Sequence, residues 1–208
     1  IYGLYTFFVY VLSLPGGWVA VNLWGQKKSV FVCGCIIALG HFTMAGPVIG
    51  LPDEGSFFLG LVFIVIGTGL LKPNVSSMVG ELYPEGGAIR DAGFSIFYMG
   101  INFGAILGPT LCGILGEGYN WHLGFSLAGF GMVLGLISYK LGEANLGSAG
   151  ELKVSASEEV LSKRSRNFWL TTAATTVGII IFSVLLNTGV IGLSLQAIAQ
   201  FLGTSVAL

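Results

Sequence analysis

Residues 56–79 read SFFLGLVFIVIGTGLLKPNVSSMV, an almost unbroken apolar run with a lysine and a proline in its second half. A helix that crosses a bilayer needs about 20 predominantly apolar residues, so this run is long enough to span. Working outward, windows of high hydropathy recur at residues 1–20, 29–50, 92–116, 121–140 and 168–190, with a shorter run from 192 to the end. The pattern predicts an all-α polytopic membrane protein with six spans and part of a seventh. Composition points the same way: of 208 residues, 54% are hydrophobic and 9% charged, against about 25% charged in ordinary soluble domains. Disorder requires low hydrophobicity and high net charge, and the net charge here is −1. The 33 glycines follow no strict third-residue period, which excludes collagen. No basic cluster is interleaved with aromatics, so no nucleic-acid partner is expected; the partner these spans imply is the lipid bilayer.

The basic residues set an expected orientation. Lys27 and Lys28 follow the first span, Arg90 the third, and Lys140, Lys153, Lys163, Arg164 and Arg166 the fifth. The alternate loops, near Asp53 and Glu54 and near Glu117, carry no Lys or Arg. By the positive-inside rule the basic loops are cytoplasmic. Residues 141–167 are polar and rich in Gly, Ser and charge, and read as a surface linker with a weak helix near 151–166. Both ends of the sequence fall inside apolar runs, which reads as a piece of a longer protein. Cys33, Cys35 and Cys112 lie in apolar runs without a His or acidic residue at ligand spacing, so buried thiols are expected rather than a metal site or a disulfide.

Eight of the nine Lys and Arg residues belong to the basic loops, which leaves Lys72 inside a span. A charge there costs at least about 2.5–3.5 kcal/mol at a helix centre. One reading is a long stem that snorkels to the cytoplasmic interface; the other is a cation lining a polar cavity. At about 100° per residue, Thr68 and Ser76 lie within about 40° of Lys72, and Gly69 at about 60°, forming a small polar face. Pro73 removes a backbone donor beside the lysine, so a kink or a free carbonyl is expected there. Asn74 projects to the opposite side. No Asp or Glu lies in any span core, so the partner of Lys72 is a substrate, water or another part of the protein.

Two more helices carry polar stripes. On the fourth span Tyr98, Asn102 and Ser95 share a face, while Gly100, Gly104 and Gly108 line the other and read as a groove for helix packing. On the first, Gly3, Thr6, Ser13 and Gly17 lie within about 60° of Tyr10, whose mid-span hydroxyl needs a partner. Polar sites between helices near the midplane are typical of transporters, so transport of a small polar, anion-bearing solute is the leading reading. An intramembrane hydrolase using Ser95 with His41 or His122 is the rival. It lacks a G-x-S-x-G or H-E-x-x-H pattern and an acidic residue to orient a base, so no catalytic residue and no enzyme activity are assigned.

The motifs GTGLLKPNVSSMVGELYP at 67–84, RDAGFSIFYMGINFGA at 90–105 and YNWHLGF at 119–125 strongly resemble the proton-dependent oligopeptide transporter family of the major facilitator superfamily. The resemblance covers most of residues 1–142. It implies twelve helices in two six-helix halves, often with a two-helix hairpin inserted between them. On that pattern residues 1–140 correspond to helices two to six, 141–167 to a cytoplasmic linker, and 168–208 to a truncated inserted hairpin. It further implies proton-coupled uptake of di- and tripeptides by alternating access across a plasma membrane, a bacterial inner membrane, with the proton as coupling ion and no other cofactor. Lys72 matches the family's coupling lysine; Tyr10, Tyr98 and Asn102 match peptide-facing residues. The first helix and the C-terminal half of the same transporter would complete the cavity. GGWVAVNLWGQKK at 16–28 resembles the family's gating loop, G-G-x-x-A-D-R-x-x-G-x-R-R, through Gly17, Gly25, Lys27 and Lys28. It departs from it at Val21 and Asn22, where Asp and Arg are expected, and Ile89 replaces a second arginine before Arg90. A non-transporting relative and a transporter of another small anionic solute are the alternatives.

Overall fold

Six long helices account for nearly all of the residues that the computed structural model describes, 2–152 and 158–187. They are α1 Tyr2–Val19, α2 Gln26–Met44, α3 Asp53–Glu81, α4 Gly87–Gly118, α5 Trp121–Gly142 and α6 Glu158–Asn187. Five segments among the described residues are long and apolar enough to cross a membrane: Tyr5–Trp24, Gln26–Met44, Asp53–Glu81, Gly87–Gly118 and Trp121–Leu146. The expected sixth span, 168–190, overlaps α6 as far as 187; residues 188–190 and the run from 192 onward lie outside the described residues. Residues 1–155 and 156–208 form two separate units.

In the first unit the helix ends follow local chemistry. Asp53 and Glu54 occupy the first turn of α3, where carboxylates complement the helix dipole. At α5 the Asn120 side chain accepts from the His122 backbone N–H at 2.9 Å, an N-cap that satisfies one orphan donor. Gly86 and Gly87, with φ of 70° and 69°, make the α3–α4 turn.

The helices pack through glycine, because lipid removes the hydrophobic drive between spans and leaves close van der Waals approach to hold them. At the antiparallel α2–α3 crossing, a Cβ on Gly60 would stand 2.6 Å from the Gly40 carbonyl oxygen, and one on Gly67 2.9 Å from that of Cys33. Gly34 faces Leu136 and Gly129 faces Phe42 between α2 and α5, while Gly124 meets the Cys112 carbonyl between α5 and α4. The neighbour order is therefore α1, α3, α2, α5, α4, and α3 meets α4 again at the basic end, where Gly80 faces Arg90 and Phe94.

Two expectations need correction and a third is left open. The stretch from Gly16 to Lys28 is not a loop: α1 continues into a π-helical turn, Ala20–Trp24, and one residue, Gly25 with φ 77°, separates it from α2. On α4 a Cβ on Gly100, Gly104 or Gly108 would meet nothing within 4 Å among the described residues, so the expected packing face is open here. The polar stretch 141–167 is not uniformly a surface linker. A 3-10 turn, Glu143–Leu146, leads it back onto the basic end of the bundle, with Ala149 and Gly150 buried. Residues 153–157, including Lys153, lie outside the described residues, and α6 begins at Glu158.

Candidate functional site

The Lys72 ammonium donates to the Tyr10 hydroxyl at 3.4 Å and stands 4.5 Å from the centre of the Tyr10 ring. Tyr10 is its partner among the described residues. Register explains the pairing. Gly69 packs against Val9 and Leu12, Leu70 against Gly16, and Pro73 against Gly17, so α1 and α3 run parallel with Lys72 level with Gly16 and Gly17. Tyr10 lies nearly two turns earlier on α1, about 9 Å at 1.5 Å per residue. The lysine stem therefore runs back toward the helix N-termini, the way helical side chains lean, and not toward the basic end as snorkelling requires. A cation over an aromatic ring recovers about 0.5–1 kcal/mol where exposed, less than the cost of an intramembrane charge. Lys72 is exposed on this fragment and retains donors for an anion.

Of the stripe expected on α1, Gly3, Thr6 and Tyr10 line an open concavity of about 540 Å³ with Phe7, Val11 and Leu14. Ser13 instead donates to its own helix, at the Val9 carbonyl, 2.9 Å.

Tyr98 and Asn102 share an exposed face of α4. The Asn102 amide donates to the Tyr98 carbonyl at 2.9 Å, and the Tyr98 ring lies beside Phe94 and Phe97. Among the described residues no hydrogen bond or ring contact joins either residue to Lys72 or Tyr10. The structure thus brings together two of the four expected site residues and leaves the α4 pair apart.

The four residues expected in a gating loop occupy three settings. Gly17 lies within α1 against Pro73, and Gly25 is the one-residue break between α1 and α2. Lys27 and Lys28 form the first turn of α2. Lys28 is exposed, while Lys27 bonds the Gly147 carbonyl and Glu151, the latter at 3.3 Å. The returning segment adds two backbone anchors. Lys27 N–H donates to the Gly150 carbonyl at 2.9 Å, and Gly150 N–H donates to the Glu81 carboxylate at 2.9 Å. The Tyr139 hydroxyl closes the cluster on the Lys27 carbonyl at 3.2 Å. Glu81, Glu151 and Tyr139 were not singled out by sequence pattern, because nothing in their spacing marks a contact across so many residues.

At the opposite end His122 Nδ1 lies 3.0 Å from the Met44 carbonyl and Nε2 lies 3.5 Å from Asp53. A carbonyl only accepts, so Nδ1 carries the proton and Nε2 faces the carboxylate. One imidazole joins the ends of α2, α3 and α5. Of the cysteines Cys33 is buried, Cys112 half-buried, and Cys35 exposed, a correction for Cys35, whose position on α2 turns away from α3 and α5.

A bundle of apolar helices built on glycine crossings, with a lone lysine held against a tyrosine within it, defines a multi-pass membrane protein of the transporter class. The POT family pattern matches residues 27–178. An uncharacterized transporter of Bacillus subtilis, YclF, is 44% identical over 185 residues, 88% of this chain and 35% of the relative. A di-/tripeptide transporter of Lactococcus lactis is 43% identical over 186 residues, 89% of this chain and 36% of the relative. A crystal structure of a peptide transporter POT in complex with sulfate superposes with a TM-score of 0.77 at 37% identity, covering 96% of this chain and 39% of that one. The chain belongs to the POT family and spans about a third of the length of the curated relatives it matches.

Proposed function

We propose that this chain is part of a proton-coupled symporter that takes up di- and tripeptides across the plasma membrane by alternating access. Family membership supports the class, and the Lactococcus relative carries the name di-/tripeptide transporter. The observation that carries the reading is Lys72, an intramembrane cation turned toward Tyr10 rather than toward the nearer membrane surface. Intramembrane ionisable groups mark substrate or proton pathways. An ammonium beside a phenol can hold a proton or receive a peptide carboxylate, and the approach of that carboxylate favours the charged lysine. In this reading Lys72 serves proton coupling. Tyr10, Tyr98 and Asn102 present phenol and amide groups to the peptide from α1 and α4.

The remaining parts follow from the same reading. Residues 1–140 supply five helices of the N-terminal half, 141–167 link on the cytoplasmic side, and 168–208 contribute to an inserted hairpin. Gly17, Gly25, Lys27 and Lys28 lie at the cytoplasmic gate. The first helix and the C-terminal half complete the cavity and bring the acidic groups absent from these span cores.

Labelled dialanine uptake into proteoliposomes holding the full-length protein, with and without an inward proton gradient, tests the reading. Gradient-dependent accumulation supports it. Binding without accumulation indicates a non-transporting relative. Accumulation of another small carboxylate, unopposed by dialanine, indicates a different anionic substrate, which a lone cation would also accept.

A further inference from the structure

The two residues after Lys72 change the helix around it. Pro73 has no N–H, so the Gly69 carbonyl loses its intrahelical donor. Asn74 is 2% exposed, and its amide nitrogen donates to the Leu70 carbonyl at 2.6 Å and to the Gly16 carbonyl of α1 at 3.3 Å. An amide NH2 has two hydrogens, one for each carbonyl: one bond stays within α3, the other crosses to α1.

The crossing bond adds a directional contact to a close backbone approach. Gly16, Gly17 and Gly69 let the two backbones approach closely, and a Cβ on Gly16 would stand 2.7 Å from the Leu70 Cα. Van der Waals contact of this kind holds helices together. A hydrogen bond is directional. The Lys72–Tyr10 contact depends on that sliding coordinate, since the two side chains start from different helices at levels about 9 Å apart.

We propose that Asn74 is a positioning residue: by bonding the Gly16 carbonyl it sets the register of α3 against α1 and so holds Lys72 at Tyr10. Its consequence for transport rests on the coupling role proposed for Lys72; its consequence for geometry does not.

Serine and alanine separate the two bonds. A serine hydroxyl has one hydrogen and, within a helix, donates to the carbonyl four residues earlier, so Asn74→Ser keeps the bond to Leu70 and loses the one to Gly16. Asn74→Ala loses both. In the full-length protein, labelling of Lys72 by an amine-reactive ester is followed by mass spectrometry, with exposed Lys28 as internal reference. Both variants are expected to raise Lys72 labelling about fivefold, the ratio for one lost hydrogen bond. Tyr10→Phe is expected to raise it too, with no further increase in the double variant. Gradient-driven dialanine uptake in Asn74→Ser should fall in kcat with little change in KM. Unchanged Lys72 labelling in Asn74→Ser overturns the proposal, as does lost uptake without altered labelling, which would mark Asn74 as merely structural. If the unmodified protein shows no gradient-driven uptake, the symporter reading fails while the labelling still decides the role of Asn74.

Discussion

Replacing Gly16 by alanine tests whether the α1–α3 approach is as tight as the structure places it. The added Cβ would stand 2.7 Å from the Leu70 Cα, 3.1 Å from the Gly69 carbonyl oxygen and 3.3 Å from a Leu70 methyl. Two of these atoms are backbone and cannot rotate away, so relief requires the helices to part by roughly 1 Å, an overpacking cost of about 1–3 kcal/mol. Alanine in place of glycine returns up to about 1 kcal/mol of helix propensity, which blurs a single measurement. Gly17 supplies the correction: it is one residue away in the same helix, and its Cβ would meet Pro73 at an ordinary 4.0 Å. Gly17→Ala therefore gains propensity without the clash, and the difference between the two variants isolates the packing term at about 1–3 kcal/mol. Thermal unfolding of the full-length protein in detergent, read for both variants side by side, measures it. The Lys72–Tyr10 bond, already 3.4 Å long, would stretch beyond bonding distance on a 1 Å separation, so Lys72 labelling should rise in Gly16→Ala alone. Equal stability and equal labelling in the two variants would refute the tight approach.

In proteoliposomes, Lys72→Ala is expected to abolish proton-driven dialanine uptake and Asn102→Ala to weaken peptide affinity; unchanged gradient-driven uptake in the lysine variant would remove Lys72 from coupling. Glu81→Gln turns the carboxylate acceptor of Gly150 N–H into a weaker, neutral one, so hydrogen exchange across residues 143–152 should quicken while the spans stay protected. His122→Ala leaves the Met44 carbonyl at the end of α2 without its imidazole donor and is expected to destabilise by about 1–3 kcal/mol in thermal unfolding. Asp53→Asn changes a contact whose carboxylate is 73% exposed; with the imidazole proton on Nδ1 there is no donor at Nε2 to lose, so the change should be well under that.

What the sequence made legible follows from period and cost. Apolar runs declare spans because backbone in lipid must bond internally, and the five spans of the first unit have ends within six residues of where hydropathy places them. Lys72 was legible because a lone intramembrane cation is expensive, and Tyr10 because helical spacing puts it on a polar stripe. Their pairing was not, because it depends on the register of α1 against α3, a matter of contacts such as Asn74–Gly16 between chain positions more than fifty residues apart. Gly100, Gly104 and Gly108 have the spacing of a packing face, while the α4–α5 contact runs through Gly116 and Gly124: small-residue spacing says that a helix can approach a neighbour but not which neighbour. Polar composition gave no sign of the contact at 143–152, where Gly147 and Gly150 present carbonyls to Lys27 and its N–H while Ala149 and Gly150 are buried.

That segment bears on the departures at Val21 and Asn22. The resemblance predicts an acid and a base there; in this chain Val21 is exposed and Asn22 spends its amide on the Trp18 carbonyl within the same helix, at 2.9 Å. The turn is nevertheless held. Gly25 is buried against Gly150 and Leu152, and its φ of 77° admits no side chain without strain. Lys27 pairs with Glu151, and Glu81 receives Gly150 N–H. The charged contacts that hold the turn lie on its flanks, where one partner is a backbone amide that no substitution of a side chain removes. Gly25→Ala strikes the one point where the turn, α2 and residues 150–152 meet: its Cβ would stand 3.0 Å from the Leu152 amide nitrogen and 3.1 Å from the Gly150 carbonyl oxygen. A positive φ alone costs a non-glycine residue about 1–2 kcal/mol, and the clash with fixed backbone adds to it. The expected result is faster proteolysis within 143–152 at unchanged protection of α2 and α3, because the segment can lift away while the spans cannot. Equal cleavage rates in Gly25→Ala and the unmodified protein would mean that the segment is held by Glu81 and Lys27 alone.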